Sequence, residues 1–174
     1  HLSSFMFTGE ALLGRFPKET INPGDVFIVN DPYRGGPSHL ADVTFIAPVF
    51  NDGDIIGFVG NTGHWPDVGG KAPGQAALGD ATEIYQEGLR IPLIRLHNAN
   101  ELQQDVLDLI LLNVRDHTNR EGDIRAHIGS VKLGTARMMD LAVQNGNDVT
   151  KKAMEELLDV AELKARHGVL SLAC

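Results

Sequence analysis

Two short segments of the sequence carry the same pair of chemically active side chains at the same spacing. His39 and Asp42 form one His-x-x-Asp segment, and His64 and Asp67 form the other, each beside a glycine pair at the edge of a predicted strand. Imidazole and carboxylate groups are the ligands that Zn, Mn or Fe(II) takes when thiolates are absent. Two histidines and one carboxylate would leave coordination positions open, which is typical of a catalytic metal. The repeated spacing makes a metal site in two neighbouring loops a hypothesis, beside the alternative that each His-x-x-Asp segment is a hydrogen-bonded loop.

Other polar residues are weaker candidates. Glu83 and Glu87 would share one face of a helical turn, where either could serve the substrate, and Glu87 is most simply an ion-pair partner of Arg90. The turn at Asn30 and Asp31 is expected to close as an Asx-turn, to position the metal loop that follows, or both. No nucleotide-binding glycine loop and no Gly-x-Ser-x-Gly motif occurs in the sequence. The remaining histidines are predicted to lie at the surface or at helix ends, namely His97, His117, His127 and His167.

Composition limits the class of protein. The 174 residues are 43% hydrophobic and 22% charged, enough for a folded core, and their net charge of −8 argues against nucleic acid or an anionic membrane as the main partner. No apolar run reaches the roughly 18–20 residues of a membrane helix. The single cysteine, Cys174, excludes a disulfide framework and a thiolate zinc site, and it favours the cytoplasm.

The candidate ligands need strands and loops to hold them, and the first half of the chain supplies both. Apolar spacing predicts a helix over residues 4–16, which Pro17 would end. Short β-branched and aromatic runs predict strands over residues 25–30, 43–50 and 55–59, with a hairpin loop at 51–54. A further strand is expected over residues 90–96, where Pro92 would confine it to an edge or an irregular stretch.

The second half of the chain is predicted to be helical. Apolar periodicity indicates helices over residues 101–114 and 121–143, and a third that Asp148 or Thr150 would cap and that would run to His167. The third helix is expected to turn Leu157, Leu158 and other apolar side chains inward. The fold class is therefore α+β, with a strand and loop region over residues 1–98 and a helical region over 99–174.

The order and spacing of these blocks resemble the hydantoinase B family over essentially the whole chain. The chain departs from the usual pattern at Ala41, where proline is common, and this departure removes no ligand. The resemblance implies one further carboxylate ligand from a segment upstream of His1. The blocks that carry the resemblance are residues 23–33, 39–43, 63–70, 73–74, 81–92, 113–115 and 122–123. Because family members are much longer, the resemblance implies that the chain is an internal fragment of such a protein.

The resemblance also implies a chemistry. It assigns metal ligands to His39, Asp42 and His64 and places Asp67 beside them, orienting His64 or a bound water. The donor types themselves suit Zn, Mn or Fe, and Asp67 or Glu83 could take a proton. A hydantoinase A-type partner subunit would use ATP to phosphorylate the substrate, and this subunit would complete hydrolysis of a hydantoin, 5-oxoproline or related lactam. Two alternatives are a subunit of an ATP-dependent ketone carboxylase and a non-catalytic assembly module. Each of the two enzyme readings implies a hetero-oligomer that acts on a small molecule.

Overall fold

The computed structural model of the chain describes residues 4–74 and 79–172, so His1 and Cys174 lie outside the described residues. Within these ranges the fold is α+β, as predicted, with strands mainly in the first half and three helices in the second. Short 3-10 turns at Lys18–Thr20, Pro32–Arg34 and Ile84–Gln86 connect the elements. In chain order the helices and strands are α1 (Ser4–Arg15), β1 (Val26–Val29), β2 (Asp42–Asn51), β3 (Asp54–His64), β4 (Ile94–Asn98), β5 (Glu101–Leu102), α2 (Gln104–Leu112), α3 (His117–Asn145) and α4 (Asn147–Ser171).

The five strands found in the described ranges form one antiparallel sheet in the order β3-β2-β1-β4-β5. Its longest pairing is the predicted β2–β3 hairpin, which turns at Asp52 and Gly53, both with positive φ. β3 extends five residues beyond its predicted end at Val59 because pairing with β2 orders a Gly-rich segment of low strand propensity. This extension carries His64 to the position opposite Asp42.

Helices cover the two faces of the sheet. On one face, α3 buries Ile124, Ile128 and Val131 in a cluster that also contains Phe45 and Trp65. On the other face, apolar side chains of α1 and the sheet form a second cluster, whose buried members are Leu12, Ile21, Phe27, Val29, Ile46 and Leu93. Burial of each large apolar side chain contributes about 1.5–3 kcal/mol, so both layers stabilise the sheet that carries the candidate ligands.

The strand after Pro92 differs from its prediction. β4 begins at Ile94 rather than at residue 90, and it pairs with β1 on one side and β5 on the other, so it is not an edge strand. Proline cannot donate to a ladder, and Pro92 accordingly lies before the strand. β5 then occupies Glu101–Leu102, which delays the start of the next helix to Gln104.

The last helix is longer and more exposed than expected. It begins at Asn147 behind Gly146, so neither Asp148 nor Thr150 is its N-cap. The expectation that its leucines point inward is wrong for the described residues, where Leu157 is 68% and Leu158 72% exposed. The neighbours of this helix are α3 and β3, which do not cover that face. No helix of the described ranges has the length and apolarity needed to span a membrane.

Candidate metal centre

The open end of the β2–β3 hairpin brings three of the predicted site residues together. Asp42 is the first residue of β2 and His64 the last of β3, and the two are cross-strand partners. His39 lies one turn earlier, where its carbonyl accepts a hydrogen bond from the Asp42 amide. The Trp65 N–H donates to the Ala41 carbonyl at 2.7 Å, which continues the pairing past the hairpin's last register pair. Strand register, rather than sequence proximity, therefore sets the distance between His64 and Asp42.

Asp42 lies between the two imidazoles. Its Oδ1 is 2.8 Å from His64 Nδ1, its Oδ2 is 3.0 Å from His39 Nε2, and the ring centroids of the histidines are 5.3 Å apart. One candidate ligand atom from each residue lies within 4.8 Å of the others. The Asp42 side chain is only 4% exposed, whereas those of His39 and His64 are 29% and 43% exposed. The three residues, hereafter the metal triad, thus have a buried carboxylate and a side that faces solvent.

Asn30 holds the loop that carries the metal triad. This side chain is fully buried at the end of β1, and its Nδ2 donates to the carbonyls of Leu40 at 2.8 Å and Leu89 at 2.9 Å. Its Oδ1 accepts a 2.6 Å bond from the Ile91 amide. Asn30 therefore joins the metal loop to the segment before β4. The predicted Asx-turn is made by Asp31, whose Oδ1 accepts a hydrogen bond from the Tyr33 amide.

Asp67 lies in a separate network centred on Arg115. Its oxygens accept bonds from the Arg115 amide and guanidinium, at 2.8 and 2.7 Å, and longer bonds from the amides of Gly69 and Gly74. Burial by itself would raise the pKa of Asp67, but these hydrogen bonds outweigh it and hold the pKa below its ordinary value. Asp67 is therefore a firmly ionised carboxylate that fixes its loop. The sequence block at 113–115 contains Arg115, but nothing in the sequence pairs it with a carboxylate 48 residues away.

The other carboxylates predicted at the site occupy the turn before β4. Glu83 precedes the Ile84–Gln86 turn and is exposed, and it is outside the group of ligand atoms formed by the metal triad. The predicted ion pair of Glu87 with Arg90 is replaced by one between Arg90 and Asp31, at 2.7 Å. Asp31 forms this ion pair because it is buried at the end of β1, directly beside the segment that leads into β4.

Two histidines lie where the sequence does not predict them. His97 is in β4 and only 8% exposed, and His127 is in the middle of α3, half-buried. The His127 ring stacks on Phe45 at 4.7 Å, and its Nδ1 is 2.8 Å from Asn61 Oδ1. Burial lowers the pKa of both histidines; nearby Lys132 lowers that of His97 further, and Asp123 partly raises that of His127. His117 and His167 are at a helix start and on an exposed helix, as predicted.

The donor set of the metal triad fits a divalent transition metal. Two imidazoles and one carboxylate are ligands that Zn, Mn and Fe(II) share, and they leave room for further ligands. A buried aspartate between two partly exposed histidines also brings negative charge to the place where a cation would bind, which lowers the cost of desolvating it. That the metal triad holds an ion stays a prediction.

Comparison with known proteins gives a consistent family. The profile described as hydantoinase B/oxoprolinase matches residues 1–173. The chain is 36% identical over 166 residues to the beta subunit of the caprolactamase of Pseudomonas jessenii, covering 95% of this chain and 28% of that protein. It is 34% identical over 154 residues to the putative D-/L-hydantoinase B subunit of Pseudomonas sp. strain NS671, covering 88% of this chain and 26% of that protein. The chain thus spans less than a third of the length of these relatives.

Solved structures show the same fold. The crystal structure of the ATP-dependent caprolactamase from Pseudomonas jessenii superimposes with a TM-score of 0.84 at 35% identity, over 96% of this chain and 28% of that one. A nucleotide-free acetone carboxylase structure superimposes with a TM-score of 0.74 over 86% of this chain and 19% of that one. The latter shares 24% identity, so its likeness is one of fold alone.

Proposed function

The chain belongs to the hydantoinase B/oxoprolinase family, and from this premise we propose that it forms the metal-bearing part of an ATP-dependent cyclic-amide hydrolase. The substrate would be a lactam, hydantoin or 5-oxoproline ring. The observation that carries the proposal is the convergence of His39, Asp42 and His64 at the open end of one hairpin. The likeness to a caprolactamase at 35% identity supports the lactam class.

The metal triad would hold a divalent cation through two imidazole nitrogens and one carboxylate. When bound, such a cation supplies Lewis acidity and lowers the pKa of water to about 7. Asp42 would hold both histidines in place, since its two oxygens already lie within 3.0 Å of their rings. Asn30 would keep the His39 loop at the correct distance through its bond to the Leu40 carbonyl.

Hydrolysis at this site would be coupled to ATP, since the similar solved caprolactamase is named as ATP-dependent. As the family resemblance implies, a partner of the hydantoinase A type would phosphorylate the substrate oxygen. Two relatives are named as the beta or B component of a multi-subunit enzyme, which supports such a hetero-oligomer. The balanced reaction consumes one lactam, one ATP and two water molecules and releases the ring-opened amino acid, ADP and phosphate, because one water adds across the amide bond and the other ends on the transferred phosphoryl group.

Asp67 and Glu83 have unequal claims to the proton-transfer role. The low pKa of Asp67 and its bonds to Arg115 make it a poor proton acceptor at neutral pH, because a strongly stabilised carboxylate is a weak base. Glu83 is exposed and directly precedes the Ile84–Gln86 turn. We therefore assign Asp67 to holding its loop and keep Glu83 as the candidate acceptor.

The test is an activity assay of the intact enzyme complex with caprolactam, 5-oxoproline and hydantoin, with and without ATP. We expect ATP-dependent ring opening of at least one substrate. The rate should fall by about 100-fold or more in Asp42→Asn because a metal ligand is removed. Asp140→Asn, a change of the same kind on the exposed surface of α3, should retain activity. Full activity of Asp42→Asn would contradict the proposal and favour a non-catalytic assembly module.

The same assay separates the ketone carboxylase alternative. The acetone carboxylase likeness is one of fold alone, and a carboxylase would consume bicarbonate and ATP with acetone or acetophenone and would open no ring. ATP-dependent fixation of labelled bicarbonate into a ketone, with no activity on the three cyclic amides, would overturn the hydrolase assignment.

A further inference from the structure

An open cleft of about 680 Å³ lies between the Pro32–Arg34 turn and the segment that precedes β4. It shares no lining residue with the metal triad. Three guanidinium groups line it, those of Arg15, Arg34 and Arg90, together with the single carboxylate of Asp31. The charged groups of the lining therefore sum to +2, in a chain whose net charge is −8. A positive concavity on an acidic protein focuses the field on an anionic ligand.

One of the three arginines is held in a fixed orientation. Arg90 Nε and Nη2 both reach Oδ2 of Asp31, at 2.8 and 2.7 Å, and the Asp31 side chain is only 5% exposed. The guanidinium carbon also lies 6.0 Å from the ring centroid of Tyr33 and 5.3 Å from that of Tyr85. A guanidinium fixed by a buried carboxylate and two aromatic rings loses little further entropy when it binds a ligand.

The other two arginines stand on a rim where their donors can reach a ligand. Arg15 ends α1 and Arg34 ends the turn before Gly35, and both are exposed. Among the described residues no hydrogen bond or ion pair engages either guanidinium. The turn is tied to α1 because the Thr8 hydroxyl donates to the Gly35 carbonyl at 2.5 Å. This bond joins the turn to the middle of α1, and both guanidinium groups border one cavity.

The floor of the cleft is closely packed backbone. A Cβ atom on Gly70 would lie 2.5 Å from the Gln86 carbonyl oxygen, and one on Gly88 would lie 2.6 Å from the Val68 carbonyl oxygen. Both glycines have positive φ, at 81° and 153°. The two loops therefore touch at positions where no side chain fits, which fixes the backbone that lines the cleft.

We propose that this arginine cleft binds a phosphate group. A phosphate dianion matches the +2 charge of the lining, and its tetrahedral oxygens suit the paired N–H donors of several guanidinium groups. A carboxylate carries half that charge and two oxygens in one plane. The cleft lacks a glycine-rich nucleotide loop, so recognition rests on the arginines and would accept inorganic phosphate or a small phosphate ester alike. This inference does not depend on the metal triad or on the lactam assignment.

The test is calorimetric titration of the intact, metal-stripped protein with inorganic phosphate, phosphoserine and the dicarboxylate glutarate. We expect saturable binding of phosphate at about one site per chain, weakened about tenfold in Arg34→Gln and in Arg15→Gln because each loses one charge-assisted contact. The phosphate affinity of Arg34→Lys should fall between those of the wild type and Arg34→Gln, since lysine keeps the positive charge but lacks the planar N–H donors of the guanidinium. Arg137→Gln on α3 is the matched control, because it removes an exposed arginine that pairs with Asp140 outside the cleft.

The outcomes are decisive in both directions. Unchanged affinity in Arg34→Gln and Arg15→Gln, or no saturable binding by the wild type, would overturn the proposal. Equal affinity for glutarate and phosphate would overturn the assignment to phosphate. Tighter binding of phosphoserine than of inorganic phosphate would support the cleft and identify a phosphate ester as the better ligand. Because His64 lies outside the cleft, His64→Ala should bind phosphate like the wild type, which separates this result from any failure of the proposed function.

Discussion

The most informative single substitution is Asn30→Ala, because one buried amide links the metal loop to the body of the sheet. The change removes two hydrogen bonds to the carbonyls of Leu40 and Leu89 and one from the Ile91 amide. Each is worth about 1 kcal/mol net, and the bonds to the Leu40 carbonyl and from the Ile91 amide are buried, so these two groups lose a partner away from solvent. We therefore expect the free energy of unfolding to fall by about 3 kcal/mol. Because Leu40 adjoins His39, metal affinity should also fall by about tenfold or more.

Both effects can be measured on the same protein. Urea unfolding gives the free energy of unfolding, and competition with a chelator gives the metal affinity of the folded fraction. Asn145→Ala is the matched control, because this amide bonds only the exposed Leu141 carbonyl and its loss should cost less than about 0.5 kcal/mol. A loss below about 1 kcal/mol for Asn30→Ala, or unchanged metal affinity in the folded protein, would refute the role assigned to this side chain.

Three further predictions follow from contacts around the site. Gly63→Ala places a Cβ against the His127 ring, which is stacked on Phe45 and has little room to move. The free energy of unfolding should fall by about 1–3 kcal/mol, whereas the control Gly122→Ala, which has open space around it in α3, should not destabilise the protein. Because the pKa values of His97 and His127 are lowered in the folded protein, the unfolded chain takes up protons at these residues at a higher pH than the folded chain does. The urea midpoint should therefore fall as the pH drops below 6.5 and stay flat above it, and an equal midpoint at pH 7.5 and 5.5 would contradict this. Arg115→Gln should lower the free energy of unfolding by only about 1 kcal/mol, since the guanidinium is 44% exposed. It should also raise the pKa of Asp67 in a carboxyl NMR titration, and an unmoved pKa would refute the pairing.

The sequence predicts those parts of the fold that depend on local chemistry. The β2–β3 hairpin follows from β-branched runs on either side of a turn whose Asp52 and Gly53 accept positive φ. The end of α3 follows from Gly146, which the backbone again places at positive φ. The approach of His39, Asp42 and His64 could be anticipated from their spacing, because two loops at the end of one hairpin must meet.

The parts that were missed depend on contacts between distant segments. Local spacing does not indicate that the Asn30 side chain bonds the Ile91 amide, or that Asp67 pairs with Arg115 rather than with a group nearer in sequence. His97 looks like a surface histidine until β5 is known to pair with β4. The exposed Leu157 face shows the reverse problem, because periodicity identifies an apolar stripe but cannot say whether the described elements cover it.

The central claim is that His39, Asp42 and His64 hold a metal ion, and elemental analysis of the intact protein tests it most directly. Inductively coupled plasma mass spectrometry should find close to one Zn, Mn or Fe per chain in the wild type after exposure to these ions and gel filtration. The His39→Ala and His64→Ala variants should lose the metal, while His167→Ala, which changes an exposed histidine of α4, should keep it. Absence of metal from the wild type, or its full retention in both site variants, would contradict the account.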